Sequence, residues 1–301
     1  MAIRIVRRII VWLAIIATVS AQDGGEMARV RAGQFVKGFG TYAGAPRLPD
    51  GRVDVERLLH ELADLRATAY SFLIWTAATD WEDLQLFLPK ARAQGLSVWV
   101  TLVPPSESPP RSKHFSEPFR LDFVKWAEEI TRLSVRESNL VGWSIDDFAT
   151  NTKAITLEKL REAMRTSRAI NPRLAFFPCV YFRYVTPAFV RDVGPLIDGI
   201  FFPYRNESTK ANLTEAGAVA EEVRILRERL GREKTVVFML YAARHSTLGA
   251  TTVEYCDTAL QAARKTADGE IVYVHQDPQK SPEKYQLIRR LFRQWAGEAA
   301  R

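Results

Sequence analysis

Apolar runs of strand length alternate along this chain with longer segments whose apolar residues recur every three or four positions, and the alternation repeats eight times. The strand-like runs are Phe35 to Phe39, Ala69 to Trp75, Ser97 to Val103, Leu140 to Ile145, Leu174 to Tyr181, Gly199 to Pro203, Val236 to Tyr241 and Ile271 to His275. Between and after them, helical periodicity covers Val53 to Leu65, Trp81 to Gln94, Asp122 to Val135, Leu157 to Ile170, Pro187 to Val193, Asn212 to Leu230, Thr252 to Lys265 and Pro282 to Ala296. Gly95 and Gly231 follow two of these helices, and Asn171-Pro172 follows a third, each a helix-stopping signal.

Strict alternation implies right-handed crossovers and a parallel sheet. The near-continuous apolar character of Ser97 to Val103 agrees with a strand covered on both faces. Eight units of roughly 30 residues fit closure into a single (β/α)8 TIM barrel better than a doubly wound open sheet. No glycine-rich turn follows the first strand, so no nucleotide or dinucleotide cofactor is expected.

Composition changes this picture mainly at the N-terminus. Arg4, Arg7 and Arg8 precede an apolar stretch from Ile9 to Thr18, and Val19-Ser20-Ala21 supplies small residues for cleavage. We therefore expect a signal peptide over 1–21, a barrel domain over 22–301, and a secreted or periplasmic product with no stable membrane insertion after cleavage. The formal charge of +7 includes those three arginines, so a chain starting after residue 21 carries +4. The remaining basic residues are interspersed with acids, as in Glu221-Glu222-Val223-Arg224, which describes a solvated helix face and argues against a nucleic-acid partner. Cys179 and Cys256 fall in distant barrel units and are expected as separate buried thiols.

Barrel enzymes carry their reacting groups where strands end and βα loops begin. The strongest feature at that rim is Gly142-Trp143-Ser144-Ile145-Asp146-Asp147-Phe148, an apolar strand ending in two carboxylates. Adjacent carboxylates repel, so one tends to keep a proton near neutral pH, as a general acid requires. Tyr42, Trp75, Tyr181, Tyr204 and Tyr241 stand at other strand ends, and their faces suit the C–H faces of sugar rings. Arg205, Asn206, Arg244, His245, His275, Gln276 and Asp277 are polar neighbours for sugar hydroxyls. A carbohydrate is the expected partner. A metal site built from Asp146, Asp147, His245, His275 and Asp277 is an alternative, although no H-x-H or H-E-x-x-H pattern occurs.

The Asp146-Asp147 pair at the end of the fourth strand resembles the β-N-acetylglucosaminidases of the O-GlcNAcase type, and more distantly the hexosaminidases and chitinases. Lys37-Gly38-Phe39-Gly40-Thr41-Tyr42 is similar to the run that ends the first strand in that family. The resemblance implies that the substrate's own acetamide is the nucleophile, that Asp146 orients it, and that Asp147 protonates the leaving oxygen. A retaining glycosidase otherwise needs a second carboxylate about 5 Å from the acid. Strand seven, ending in Tyr241-Ala242-Ala243, has none, which leaves substrate assistance or Asp277 to fill that role. A glycoside hydrolase, a carbohydrate-binding barrel without catalysis, and a metal-dependent hydrolase or lyase are thus the three readings of this rim.

Overall fold

The computed structural model describes residues 25–299; the expected signal peptide lies outside them. Eight parallel strands and the helices between them form a (β/α)8 barrel. The strands are β1 (Phe39–Tyr42), β2 (Ala69–Ile74), β3 (Ser97–Leu102), β4 (Leu140–Ile145), β5 (Ala175–Phe176), β6 (Gly199–Pro203), β7 (Thr235–Tyr241) and β8 (Gly269–Tyr273). The helices that follow them are α1 (Val55–Leu65), α2 (Asp80–Ala93), α3 (Phe123–Arg136), α4 (Leu157–Ile170), α5 (Pro187–Asp192), α6 (Val219–Leu230), α7 (Val253–Thr266) and α8 (Pro282–Ala299).

Sheet order runs β5-β4-β3-β2-β1-β8-β7-β6. The remaining seam between β5 and β6 is bridged at Cys179 and Phe201, where Val180 N–H donates to the Phe201 carbonyl at 2.9 Å and Phe201 N–H to the Pro178 carbonyl at 3.0 Å. Pro178 has no N–H to give, which is why β5 is only two residues long where the apolar run predicts eight. The first strand also differs from expectation. It begins at Phe39, and Phe35 instead closes the barrel floor, 5.5 Å edge-on from Phe201 and 5.7 Å from Trp99.

Several helix starts are fixed by side chains. Asp54 accepts from Arg57 N–H and Asp122 from Lys125 N–H, each at 3.0 Å. The helix predicted from Asn212 starts only at Val219, because Asn212 caps a local turn, its Oδ1 accepting from the N–H groups of Thr214 and Glu215.

Alternation along the strands divides the interior into two layers. Trp99, Phe177, Phe201, Val237, Met239 and Ile271 point inward and pack together, while Val98, Val100, Trp143, Ile200, Phe238 and Val272 join the larger core under the helices. Above the aromatic floor, inward Ser71 and Thr101 hydrogen-bond at 2.7 Å, beginning the change to a polar mouth. Gly142 makes room for the floor: a Cβ there would lie 2.3 Å from the Trp99 ring. Gly142→Ala is therefore expected to destabilise the barrel by about 1–3 kcal/mol, read as a lower urea midpoint with an unchanged slope. An unchanged midpoint would show that Trp99 moves aside freely.

Candidate active site

The inward parity of each strand selects the residues that reach the mouth. Counting from Gly142, the inward positions of β4 continue through Ser144 to Asp146. On the same logic β1 delivers Tyr42, the segment after β5 delivers Cys179 and Tyr181, β7 delivers Met239 and Tyr241, and β8 delivers Tyr273. These side chains, with Asp147, Glu107, Arg244, His245 and Ser246 from the loops, line a cavity of about 260 Å³. A second cleft of about 330 Å³ lies behind Phe148, but its lining is mostly apolar and brings together no group of titratable side chains.

Asp146 is held on both oxygens. Tyr42 donates its hydroxyl to Oδ2 at 2.6 Å, and the N–H of Asp147 donates to Oδ1 at 3.0 Å. Burial, reinforced by the charge of Asp146, pushes the Tyr42 phenol well above its ordinary value. Asp147 is the counterpart. Burial, reinforced by the negative charge of Asp146, raises its carboxyl to about 6, against the opposing pull of a Tyr181 hydrogen bond and the Arg205 charge.

Asp147 also has a left-handed backbone, φ +41°, a conformation that costs a non-glycine residue about 1–3 kcal/mol unless its surroundings hold it. Here Asn151 Nδ2 and Thr150 Oγ1 donate to the Asp147 carbonyl at 2.9 and 2.8 Å. Asn151 meanwhile binds the β3 loop, accepting from Ser106 N–H at 3.0 Å and donating to Ser106 Oγ at 2.9 Å. One amide side chain thus fixes the loop carrying Asp147 against the loop carrying Glu107.

Glu107 is the pocket residue that strand ends do not point to, since it lies in the loop four residues beyond Val103, where the third apolar run ends. Its backbone is secured by Trp75, whose indole N–H donates to the Glu107 carbonyl at 3.1 Å. Burial, then the charges of Asp146 and Asp147, push its carboxyl up to about 9, so it is protonated in a neutral pocket. With a folded value above the usual carboxylate range, its stabilising contribution is complete at acid pH and is lost as pH rises through about 9. Glu107→Gln is expected to flatten the fall in Tm between about pH 5 and pH 9; parallel Tm curves for the two proteins would remove this assignment.

The other rim residues divide clearly. Tyr42, Tyr181, Tyr241 and His245 line the cavity, and Arg205 stacks on the Tyr181 ring with its guanidinium carbon 3.7 Å from the centroid. Trp75 stands behind Glu107 and is absent from the lining. Tyr204 falls at an outward position one residue beyond Pro203, buried under α6 with its hydroxyl on the Glu215 carbonyl at 3.0 Å. Asn206 bonds the Glu215 carboxylate at 3.0 Å. His275 is buried between Thr41 at 3.0 Å and Glu61 at 2.9 Å, on the helix side of the sheet. Gln276 is likewise buried outside the lining, and Asp277 pairs with Arg57 at 3.0 Å while accepting from the N–H groups of Gln279 and Lys280. The carboxyl group that joins the aspartate pair in the pocket is therefore Glu107; Asp277 lies elsewhere.

The five-residue metal set read from the sequence is not assembled, because His275 and Asp277 are engaged elsewhere. Among the described residues, Asp146, Asp147 and Cys179 do bring potential ligand atoms within 4.8 Å of one another. Burial, then the two aspartate charges, push the Cys179 thiol well above its ordinary value. Cys179 and Cys256 are both free and buried. Among the described residues no helix is long and apolar enough to cross a membrane.

No protein-family model matches the chain, and no curated protein matches it in sequence. Solved structures of similar fold include the β-D-glucuronidase of Dictyoglomus thermophilum, with a TM-score of 0.55, 15% identity, and coverage of 87% of this chain and 50% of that one. The GH2 β-galacturonidase of Eisenbergiella tayi gives a TM-score of 0.54, 13% identity, and coverage of 86% and 51%. A family 39 glycoside hydrolase from Bacteroides cellulosilyticus WH2 gives 0.52, 11% identity, and coverage of 86% and 64%. These neighbours are glycoside hydrolases, and at such identities the likeness is one of fold. The chain spans about half the length of the first two.

Proposed function

We propose that this barrel is an exported glycoside hydrolase in which Asp147 is the general acid and Asp146 its partner. The observation that carries the reading is the different surroundings of two adjacent carboxyls in one pocket: Asp146 accepts a hydrogen bond on each oxygen, and Asp147 is raised to about 6 beside it. Inward tyrosines supply apolar faces, and the fold neighbours are glycosidases.

In the hydrolytic step Asp147 gives its proton to the leaving glycosidic oxygen as the bond to the anomeric carbon breaks. Glu107, kept protonated by its surroundings, is a poor nucleophile or base in the free pocket. That favours substrate assistance: the acetamide oxygen of an N-acetylhexosaminide attacks the anomeric carbon while Asp146 accepts the acetamide N–H. Water then opens the cyclic intermediate, returning its proton to Asp147, so that the net change is hydrolysis. Export rests on the N-terminal pattern of Arg4, Arg7, Arg8 and the apolar stretch after them.

The test is a panel of aryl glycosides with and without a 2-acetamido group. Cleavage of the acetamido members is expected, with kcat/KM falling as pH rises through about 6, because the acid must carry its proton. Cleavage of simple glycosides at equal rates would overturn the acetamide route, and no cleavage of any member, with binding intact, would favour a non-catalytic carbohydrate-binding barrel.

A further inference from the structure

Beside the pocket two hydrogen-bond donors, from His245 and Arg205, face one another with no acceptor between them. The Nδ1 of His245 receives the backbone N–H groups of Thr247 at 3.1 Å and Leu248 at 3.2 Å. Backbone N–H groups only donate, so Nδ1 is the unprotonated nitrogen and the ring proton sits on Nε2. Burial, and then the neighbouring Arg205 charge, keep the ring neutral. Its Nε2–H therefore meets Nη1 of Arg205 at 3.5 Å donor to donor, since a guanidinium has no acceptor.

Arg205 is itself short of acceptors. Its Nε is buried with no hydrogen-bond partner among the described residues, and it shares one carboxylate, Glu207, with Arg183. Arg244, exposed at the cavity rim, has no ion pair among the described residues. Arg205 over the Tyr181 ring, a neutral His245 against Tyr241 and Arg244 at the rim thus bring N–H groups to the pocket. A sugar hydroxyl satisfies one donor; an oxyanion satisfies several, with charge assistance.

We propose that Arg205, His245 and Arg244 form a subsite for an anionic substituent of the glycan, a uronate carboxylate or a sulfate ester, whose oxygens accept from His245 Nε2, Arg205 Nη1 and the Arg244 guanidinium. This rests on the carbohydrate reading above and narrows it to acidic glycans. The two guanidinium charges also offset the burden of bringing an anion towards Asp146.

The test uses the full chain and calorimetric binding of uronate-bearing and sulfated oligosaccharides against their carboxyl-reduced and desulfated counterparts. The charged forms are expected to bind about tenfold or more tightly, the effect of one or two charge-assisted hydrogen bonds. Arg244→Gln, at an exposed position without a structural partner, is expected to remove most of that preference by weakening the charged forms far more than the neutral ones. Preference for the carboxylate or for the sulfate identifies the source, and either supports the subsite. Equal binding of charged and neutral forms, or an Arg244→Gln variant that weakens both alike, overturns it. Hydrolysis of neutral and charged substrates alike sinks this inference alone, charge-selective binding without turnover sinks only the hydrolase reading, and no binding at all sinks both.

Discussion

Asp147→Asn is expected to lower kcat/KM on an aryl N-acetylhexosaminide by about 10²–10⁴-fold, the usual contribution of a positioned general acid. The substitution keeps the shape of the side chain and removes only its transferable proton. Two further signs separate proton donation from damage to the fold. The loss should shrink as the leaving phenol becomes more acidic, because a good leaving group needs little protonation. Tm should hold or rise above about pH 6, since the native carboxylate is disfavoured there by burial and by Asp146. A loss of equal size across all leaving groups would instead assign Asp147 to substrate positioning.

The largest effect on stability is expected at Asp80, far from any proton transfer. Its side chain is completely buried at the start of α2, where Oδ2 accepts from the N–H groups of Trp75, Thr76 and Ala77 at 2.8, 2.7 and 3.0 Å. Oδ1 accepts from Arg47 at 2.6 Å. Asp80→Ala strands three loop donors and one guanidinium, and breaking a buried pair of this kind costs about 3–5 kcal/mol. The measured consequence is a fall in Tm on the order of 10 °C for a domain of this size. Activity should decline with it at lower temperature, because the released loop carries Trp75, which holds the Glu107 carbonyl. If Tm moves by only a degree or two, the loop's donors find water and the pin is dispensable.

These two aspartates differ in how they can be found. Asp147 is legible from the chain, since two carboxylates end an apolar strand and the alternation of segments makes that strand end a barrel rim. Asp80 reads simply as an acid in the first turn of a helix, an ordinary place for one. Only the returning loop after β2 turns it into a buried anchor.

The same distinction runs through the rest of the site. The barrel itself follows from local information: strand-length apolar runs, helical periodicity and stop signals are properties of neighbouring residues, and eight repeats leave few topologies. Tyr204 and Tyr241 both end strands and are equivalent by that criterion, yet one lies under α6 and the other in the pocket. Gly199–Pro203 is buried along its entire length, so its sequence does not alternate and carries no sign of which face is interior. A register displaced by one residue exchanges the faces, and register is set by pairing across the barrel. Glu107 entered the pocket through Asn151 and Trp75, contacts from segments distant in the chain, and the protonation of its carboxyl depends on their joint burial. The barrel and the adjacent aspartates are legible in the chain because both are written in short-range pattern. The company those aspartates keep was decided by tertiary structure alone, because facing, burial and dielectric environment exist only once the barrel has closed.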